Sequence, residues 1–183
     1  MKRVITISGL HGTGKTSVAN RIAEEFGLRI VSVGSLFRSL AKERGLTLEQ
    51  FSRVAEHDAS IDRILDDRLK QEAEKGDVVL DGQLAAWMAG DAADFRVLLT
   101  APPDIRHRRI SDRDGIGFEQ AKSQTTTREK SERARYHKLY GIKIEDQSVY
   151  DLVLNTGKYD LEGVIVVVVG AIRAYFVSER ASA

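Results

Sequence analysis

A β-branched apolar run followed by a glycine-rich loop and a helical pattern constrains this chain more than any other feature. Residues 3–8 predict a buried strand, and Gly9-x-x-x-x-Gly14-Lys15-Thr16 follows directly. Glycine lets a backbone turn its N–H groups inward around a phosphate, and the next helix start adds free N–H groups and the positive end of a dipole. Strand, loop and helix together predict a phosphate-binding loop for a nucleoside triphosphate.

Each residue type in the loop suits the phosphate chemistry. Lys15 can reach the β- and γ-phosphates as a point charge, and the Thr16 hydroxyl can ligate Mg²⁺. A chance glycine-rich turn before a helix is the alternative, and the flanking context disfavours it. We expect the ATP phosphates to contact Gly9, Leu10, His11, Gly12, Thr13, Gly14, Lys15, Thr16 and Ser17.

Composition restricts the class of protein. The length of 183 residues favours one domain, and the net charge of +1 gives no general attraction to nucleic acid or an anionic membrane. The absence of cysteine excludes disulfides and thiolate metal sites, and it fits a reducing cytoplasm. The strand begins too early to leave room for a signal peptide, and the longest apolar run, residues 164–169, is too short to cross a bilayer.

Strand and helix patterns alternate along the chain. Strands are predicted at residues 3–8, 28–33, 77–82, 95–100 and 151–155, and right-handed crossovers between them imply a five-stranded parallel sheet with helices on both faces. Helices are predicted at residues 15–26, from 34, from a capping box at 47–50, at 60–75, from 103 and at 118–139. The helix at 60–75 has an apolar stripe that we expect to face the interior: Ile61, Ile64, Leu65 and Leu69. Residues 164–169 have strand propensity, but their position calls for a closing helix, so we predict a helix over 160–180.

Polar residues follow two of the predicted strands where ligands bind in open α/β sheets. Ser35 and Arg38 lie just past the second strand, although a helix cap and a solvated charge would also explain them. Asp81 ends the third strand, and an acidic residue there is the usual second anchor for Mg²⁺, often through water. Strands also end in Asp-Gly turns, which is the alternative. Arg68, on the helix at 60–75, is a weaker candidate for the acceptor site.

Two arginine-bearing helices joined by a glycine-punctuated turn predict a lid over residues 106–139. The first carries Arg106, Arg108, Arg109 and Arg113, and the second carries Arg128, Arg133 and Arg135. Solvated amphipathic helices are the alternative, but crowded like charge is costly without an anionic partner, and arginine forks grip phosphate oxygens. The predicted core comprises residues 1–38, 77–105 and 140–183, with a helical acceptor-binding insert at about 39–76.

Several segments resemble the nucleoside monophosphate kinases, and among them the archaeal-type cytidylate kinases. They include the phosphate loop, residues 34–38, residues 78–82 with Leu84 and Trp87, residues 140–142 and residues 150–156. The most specific is Arg128-Glu129-x-x-Glu132-x-x-Arg135, which resembles the Arg-Asp-x-x-Asp-x-x-Arg signature of bacterial cytidylate kinases. Positions i, i+4 and i+7 lie on one helical face, so these side chains could converge on one ligand, although a surface ladder is the alternative.

The resemblance implies a P-loop nucleoside-monophosphate-kinase-like three-layer fold and a cytoplasmic monomer. It implies transfer of the γ-phosphoryl of ATP to CMP and dCMP, with Mg²⁺. The catalytic residues would be Lys15, Arg109, Arg113, Arg128 and Arg135, with the two forks of Arg128 and Arg135 on phosphates and Glu132 on ribose hydroxyls. The acceptor would contact Ser35, Arg38, Arg68, Asp81, Gly82, Gln83, Arg128, Glu132 and Arg135.

Two residues depart from the family pattern. Lys15 stands where the archaeal family often has threonine, and Gln83 stands where an arginine usually meets the acceptor phosphate. A kinase for UMP, AMP or a non-nucleotide acceptor is therefore an open alternative. A nucleotide-dependent switch of the GTPase type is another, but it predicts an Asn-Lys-x-Asp motif, which Asn155-Thr156-Gly157-Lys158 does not match.

Overall fold

Five strands and eight α-helices alternate in a computed structural model of the chain, which describes residues 2–182 and their side chains up to residue 178. The strands are β1 (Val4–Ser8), β2 (Arg29–Ser32), β3 (Val78–Asp81), β4 (Phe95–Thr100) and β5 (Leu152–Asn155). The helices are α1 (Lys15–Phe26), α2 (Val33–Glu43), α3 (Leu48–His57), α4 (Ala59–Lys75), α5 (Ala85–Ala89), α6 (Pro103–Asp114), α7 (Phe118–Tyr140) and α8 (Leu161–Ser182). Short 3₁₀ turns cover Gly90–Ala92 and Thr156–Lys158.

The strands form one parallel sheet in the order β2-β3-β1-β4-β5, which confirms the predicted sheet. Ile5 on β1 pairs with Val79 on β3 and with Phe95 on β4, so β1 is the central strand. The loop that leaves β1 therefore emerges between the carboxyl ends of β3 and β4. This is the edge at which open α/β sheets bind ligands.

The helix boundaries follow from local capping chemistry. Gly27 ends α1 in a left-handed conformation with φ 63°, and Thr47 and Gln50 form the predicted capping box at the start of α3. At α2 the capping residue is Ser32, whose side chain accepts a hydrogen bond from the Ser35 backbone N–H at 3.3 Å. The alternative interpretation of Ser35 as the cap is therefore wrong.

The last segment is a helix because tertiary packing outweighs its strand propensity. Val164, Val168 and Ile172 are buried against Ile5 and Ile22, which gives α8 one apolar face on the sheet and α1. By length and composition alone, Leu161–Ser178 could span a membrane, which the short apolar run did not suggest. A core helix meets the same criterion; here one face of α8 packs into the core, and 28% of Leu161–Ser178 is buried.

Helix α4 differs from its predicted inner stripe. Ile64, expected inside, is 63% exposed, whereas Asp62 and Asp66 are each only 5% exposed. Ile61 and Leu65 remain buried as predicted. The helix therefore presents two carboxylates to the interior of the molecule, and both line the cleft described below.

Candidate active site

The phosphate loop is pressed against its neighbours at two glycines. A Cβ on Gly9 would lie 2.3 Å from the Leu99 carbonyl oxygen, and one on Gly12 would lie 2.5 Å from the Arg106 carbonyl oxygen. These approaches, and φ values of 146° and 78°, require glycine at both positions. Residues 11–17 of the loop line a cleft of about 780 Å³, whereas Gly9 and Leu10 support the loop from behind.

Lys15 lies within the loop, and burial lowers the pKa of its ammonium group. Its Nζ donates a hydrogen bond to the Leu10 carbonyl oxygen at 2.9 Å, an acceptor shared with the Thr13 hydroxyl. An adjacent anion stabilises a buried ammonium group in its charged form, and a bound polyphosphate would be such an anion. Leu10, predicted to contact ATP, is thus a support for Lys15.

Oxygen donors meet at the carboxyl end of β3. The hydroxyls of Thr16 and Ser32 both donate to Oδ2 of Asp81, each at 2.7 Å. Hard oxygen ligands of this kind suit Mg²⁺, which keeps several water ligands and binds through few protein groups. Among the described residues, no group of three or more His, Cys, Asp or Glu side chains could hold a metal ion. Ser32 was missed from the sequence.

Three arginines, Arg38, Arg113 and Arg128, line the cleft and lie near one another. Burial lowers the pKa of Arg38, and the neighbouring charges of Arg113 and Arg128 lower it further. Nη2 of Arg38 donates to Ser35 Oγ at 2.9 Å, so Ser35, which does not itself line the cleft, positions this guanidinium. Such crowding of like charge is typical of a site that binds an anion.

Glu132 connects the phosphate loop, the end of β3 and α7. Its buried carboxylate accepts hydrogen bonds from Gln83 Nε2 at 2.6 Å, His11 Nε2 at 2.7 Å and Arg128 Nε at 2.9 Å. Burial alone would raise the pKa of Glu132, but His11 and Arg128 hold it well below its usual range. Burial, in turn, lowers the pKa of His11. Three donors thus already occupy the carboxylate that was predicted to accept ribose hydroxyls.

Arg135 faces the cleft but pairs with the insert. Its Nε donates to Oδ2 of Asp62 at 2.7 Å, and Nη1 donates to Ser131 Oγ at 2.6 Å. Arg128, by contrast, pairs with Glu132 and lies over the Phe37 ring, 5.0 Å from its centroid. The signature residues therefore share one helical face, as predicted, but contact different partners.

A buried ion pair missed from the sequence clamps the phosphate loop. Arg106 on α6 and Glu129 on α7 pair at 2.6 Å, with side chains only 6% and 11% exposed. Arg106 donates to the His11 carbonyl oxygen at 2.7 Å, and the His11 N–H donates to Glu129 Oε1 at 3.2 Å. The backbone N–H and carbonyl groups of His11 are thus both held by the two arginine-bearing helices. We call this contact the Arg106–Glu129 clamp.

Arg109 lines the cleft beside the phosphate loop. Its guanidinium donates to the hydroxyl and carbonyl oxygens of Thr156, both at 2.9 Å, and Thr156 in turn donates to the Thr13 carbonyl oxygen at 3.0 Å. Residues after β5 also line the cleft, and none of them was predicted as a site residue: Thr156, Tyr159, Asp160, Leu161 and Val164. Their position after a strand's carboxyl end was the available signal.

Arg68 is not brought to the cleft. It lies on α4 with its side chain 53% exposed and pairs with Glu72 at 3.1 Å, a carboxylate that Arg29 and Lys75 also contact. The structure therefore gives no support for Arg68 as an acceptor ligand. Gly82 and Gln83, by contrast, line the cleft.

The sheet order, the phosphate loop and the acidic end of β3 define a P-loop kinase. Two solved structures share this fold. A gluconokinase from Sinorhizobium meliloti has a TM-score of 0.67 and 16% identity, and the match covers 100% of this chain and 98% of the gluconokinase. A shikimate kinase from Bacteroides thetaiotaomicron has a TM-score of 0.61 and 16% identity, and the match covers 98% of this chain and 99% of the shikimate kinase. At this identity the likeness concerns the fold alone.

The chain belongs to the cytidylate kinase-like family, whose model matches residues 4–158. A cytidylate kinase from Pyrococcus horikoshii is 46% identical over 171 residues, covering 93% of this chain and 88% of its own length. Those from Natronomonas pharaonis and Methanocaldococcus jannaschii are 48% and 45% identical, covering 94% and 92% of this chain and 90% and 97% of their own lengths. The resemblance found in the sequence is thereby confirmed, and the protein is an enzyme of the kinase class.

Proposed function

We propose that the enzyme transfers the γ-phosphoryl of ATP to CMP and dCMP, giving ADP and CDP or dCDP. One observation carries the proposal: a single cleft is lined both by the phosphate loop with Lys15 and by three arginines, Arg38, Arg113 and Arg128. A phosphate loop and a group of arginines in one cleft suit transfer between two phosphorylated molecules. The relatives' name, cytidylate kinase, supports CMP as the acceptor.

The residues act by positioning and by neutralising charge, as phosphoryl transfer requires. Loop N–H groups and Lys15 would hold the β- and γ-phosphates, and Arg38, positioned by Ser35, would hold the acceptor phosphate. Arg113 and Arg128 would neutralise charge on the transferred group, and Arg109, which also lines the cleft, would act near the donor phosphates. No side chain is needed as a covalent nucleophile.

Mg²⁺ is part of the proposal. Thr16 and Asp81, with Ser32 hydrogen-bonded to the same carboxylate oxygen, would hold it, directly or through water. The bound ion would supply positive charge to the β- and γ-phosphate oxygens. We also propose that the enzyme works as a cytoplasmic monomer, independently of nucleic acid and membranes; the net charge of +1, which gives no general attraction to either, supports the last point.

A panel assay tests the acceptor. Release of ADP from ATP is measured with CMP, dCMP, UMP, AMP and no acceptor. We expect CMP or dCMP to exceed the other monophosphates by well over tenfold in kcat/KM, a factor that corresponds to about 1.4 kcal/mol. Equal rates with AMP would support another small-molecule kinase, and ATP loss indifferent to every monophosphate would support a nucleotide switch.

A further inference from the structure

The side chain of His11 contacts α7, although its backbone belongs to the phosphate loop. Its Nε2 lies 2.7 Å from Oε2 of Glu132, and the two side chains are 20% and 4% exposed. The backbone of His11 is held separately, because the Arg106–Glu129 clamp binds its carbonyl and N–H groups. The loop therefore does not need this ring to keep its shape, and the contact with Glu132 calls for another explanation.

The charge on Glu132 fixes which nitrogen of His11 carries the proton. His11 and Arg128 hold the pKa of Glu132 well below its usual range, so the carboxylate is ionised and only accepts hydrogen bonds. Gln83 Nε2 donates to the same oxygen at 2.6 Å and lies 3.0 Å from His11 Nε2. Burial lowers the pKa of His11, which favours a neutral ring with its proton on Nε2. Two N–H donors, one from each side chain, thus hold one oxygen of Glu132.

The second oxygen of Glu132 orients Arg128. Oε1 accepts a hydrogen bond from Nε of Arg128 at 2.9 Å, and the guanidinium lies over the Phe37 ring. Among the described residues Arg128 makes no other hydrogen bond, so its two Nη groups remain for an anion. Since Arg128 lines the cleft beside Arg38 and Arg113, the carboxylate sets the direction in which one arginine of the anion site presents its donors.

We propose that His11, together with Gln83, is a positioning residue for the acceptor phosphate, because it holds Glu132 in the orientation that aims Arg128 at that phosphate. The inference rests on the proposed function and deepens it. A side chain that belongs to the loop for ATP would thus determine the binding of the other substrate. Glu132 would serve Arg128 and not the ribose hydroxyls of the acceptor.

The test is a comparison of KM for CMP and KM for ATP in His11→Ala and His11→Gln. His11→Ala removes one donor from a buried carboxylate, so KM for CMP should rise by about tenfold, the order of one hydrogen bond to a charged group. KM for ATP should stay within about twofold, because the clamp still holds the loop backbone. In His11→Gln an amide N–H can again donate to Glu132, so KM for CMP should return to within about threefold of wild type. His57→Ala is the matched control, since His57 is an exposed histidine at the end of α3, and both KM values should be unchanged.

A comparison of CMP with dCMP separates the phosphate from the ribose. If Glu132 acts through Arg128, His11→Ala should raise KM for both acceptors by the same factor. A loss confined to CMP would show that Glu132 binds the 2′-hydroxyl, and it would overturn the proposal. A folded His11→Ala enzyme with the wild-type KM for CMP, or with equal increases for ATP and CMP, would overturn it as well. Wild type inactive on CMP would instead overturn the proposed function.

Nuclear magnetic resonance of the histidine rings is a second test, made on the wild-type enzyme. The free enzyme should show His11 with its proton on Nε2. Saturating CMP should shift the Nε2 resonance, because an anion on Arg128 pulls on the hydrogen bonds of Glu132. Cytidine at the same concentration lacks the phosphate and should not shift it, and the ring of His57 serves as the internal reference. No shift with CMP, or an equal shift with cytidine, would refute the assignment.

Discussion

The Arg106–Glu129 clamp allows a quantitative prediction about how the phosphate loop is held. Glu129→Gln keeps the shape of the side chain but removes the charge opposite a guanidinium that is only 6% exposed. An amide donor could then face the Arg106 donors 2.6 and 3.2 Å away. Removing one partner of a buried pair costs about 3 to 5 kcal/mol, because the remaining charge stays buried.

That cost is a large share of a typical stability of about 5 to 15 kcal/mol. For a chain of this size it corresponds to a drop in Tm of roughly 6 to 20 °C. Glu49→Gln is the matched control, since Glu49 pairs with Arg53 on an exposed helix face. An exposed i,i+4 pair contributes about 0.3 to 0.5 kcal/mol, so Tm should change by no more than roughly 2 °C.

Thermal unfolding followed by circular dichroism measures the two shifts, and a double-mutant cycle with Arg106→Met assigns them to the pair. The double variant removes both charges, so it should be less destabilised than the sum of the single variants. The clamp also holds the backbone N–H and carbonyl groups of His11 in the phosphate loop. Because a displaced loop would position ATP less well, kcat/KM for ATP should fall by about tenfold or more in Glu129→Gln. If Glu129→Gln lowers Tm no more than Glu49→Gln, the reasoning is wrong.

The other predictions concern single residues. Lys15→Ala should abolish phosphoryl transfer with an unchanged circular dichroism spectrum, because it removes charge stabilisation from the transition state, and near-wild-type turnover would contradict the loop assignment. Arg38→Ala should raise KM for CMP by about tenfold or more. Gln83→Arg should not lower KM for CMP, since an arginine at position 83 would pair with Glu132. A lower KM in Gln83→Arg would show that the anion site is incomplete. Because the pKa of Asp66 is raised, the folded state binds more protons than the unfolded state between about pH 4 and 7. In urea titrations, wild type should therefore lose stability relative to Asp66→Asn as the pH rises through that window. If the stabilities of the two proteins change in parallel with pH, the raised pKa is refuted.

Local chemistry was sufficient wherever a residue acts through its immediate neighbours. The phosphate loop, the ends of α1 and the capping box of α3 were predictable, because they depend on backbone freedom at glycine and on hydrogen bonds within four residues. The parallel sheet followed from the alternation of strands and helices and from the handedness of their crossovers. Thr16 and Asp81 were predictable as a pair, because parallel strand ends meet at one edge.

The partners of the charged side chains were decided by the tertiary structure alone. In the sequence Arg68, Arg106 and Arg135 have the same local character, yet one pairs with Glu72 outside the cleft, one clamps the phosphate loop and one holds Asp62. Those outcomes depend on how α4, α6 and α7 are rotated and translated against one another, and neighbouring positions on a helix point about 100° apart. The same rotation exposed Ile64 and buried Asp66, because helical period gives the width of a face but not the direction in which the assembled helix turns it.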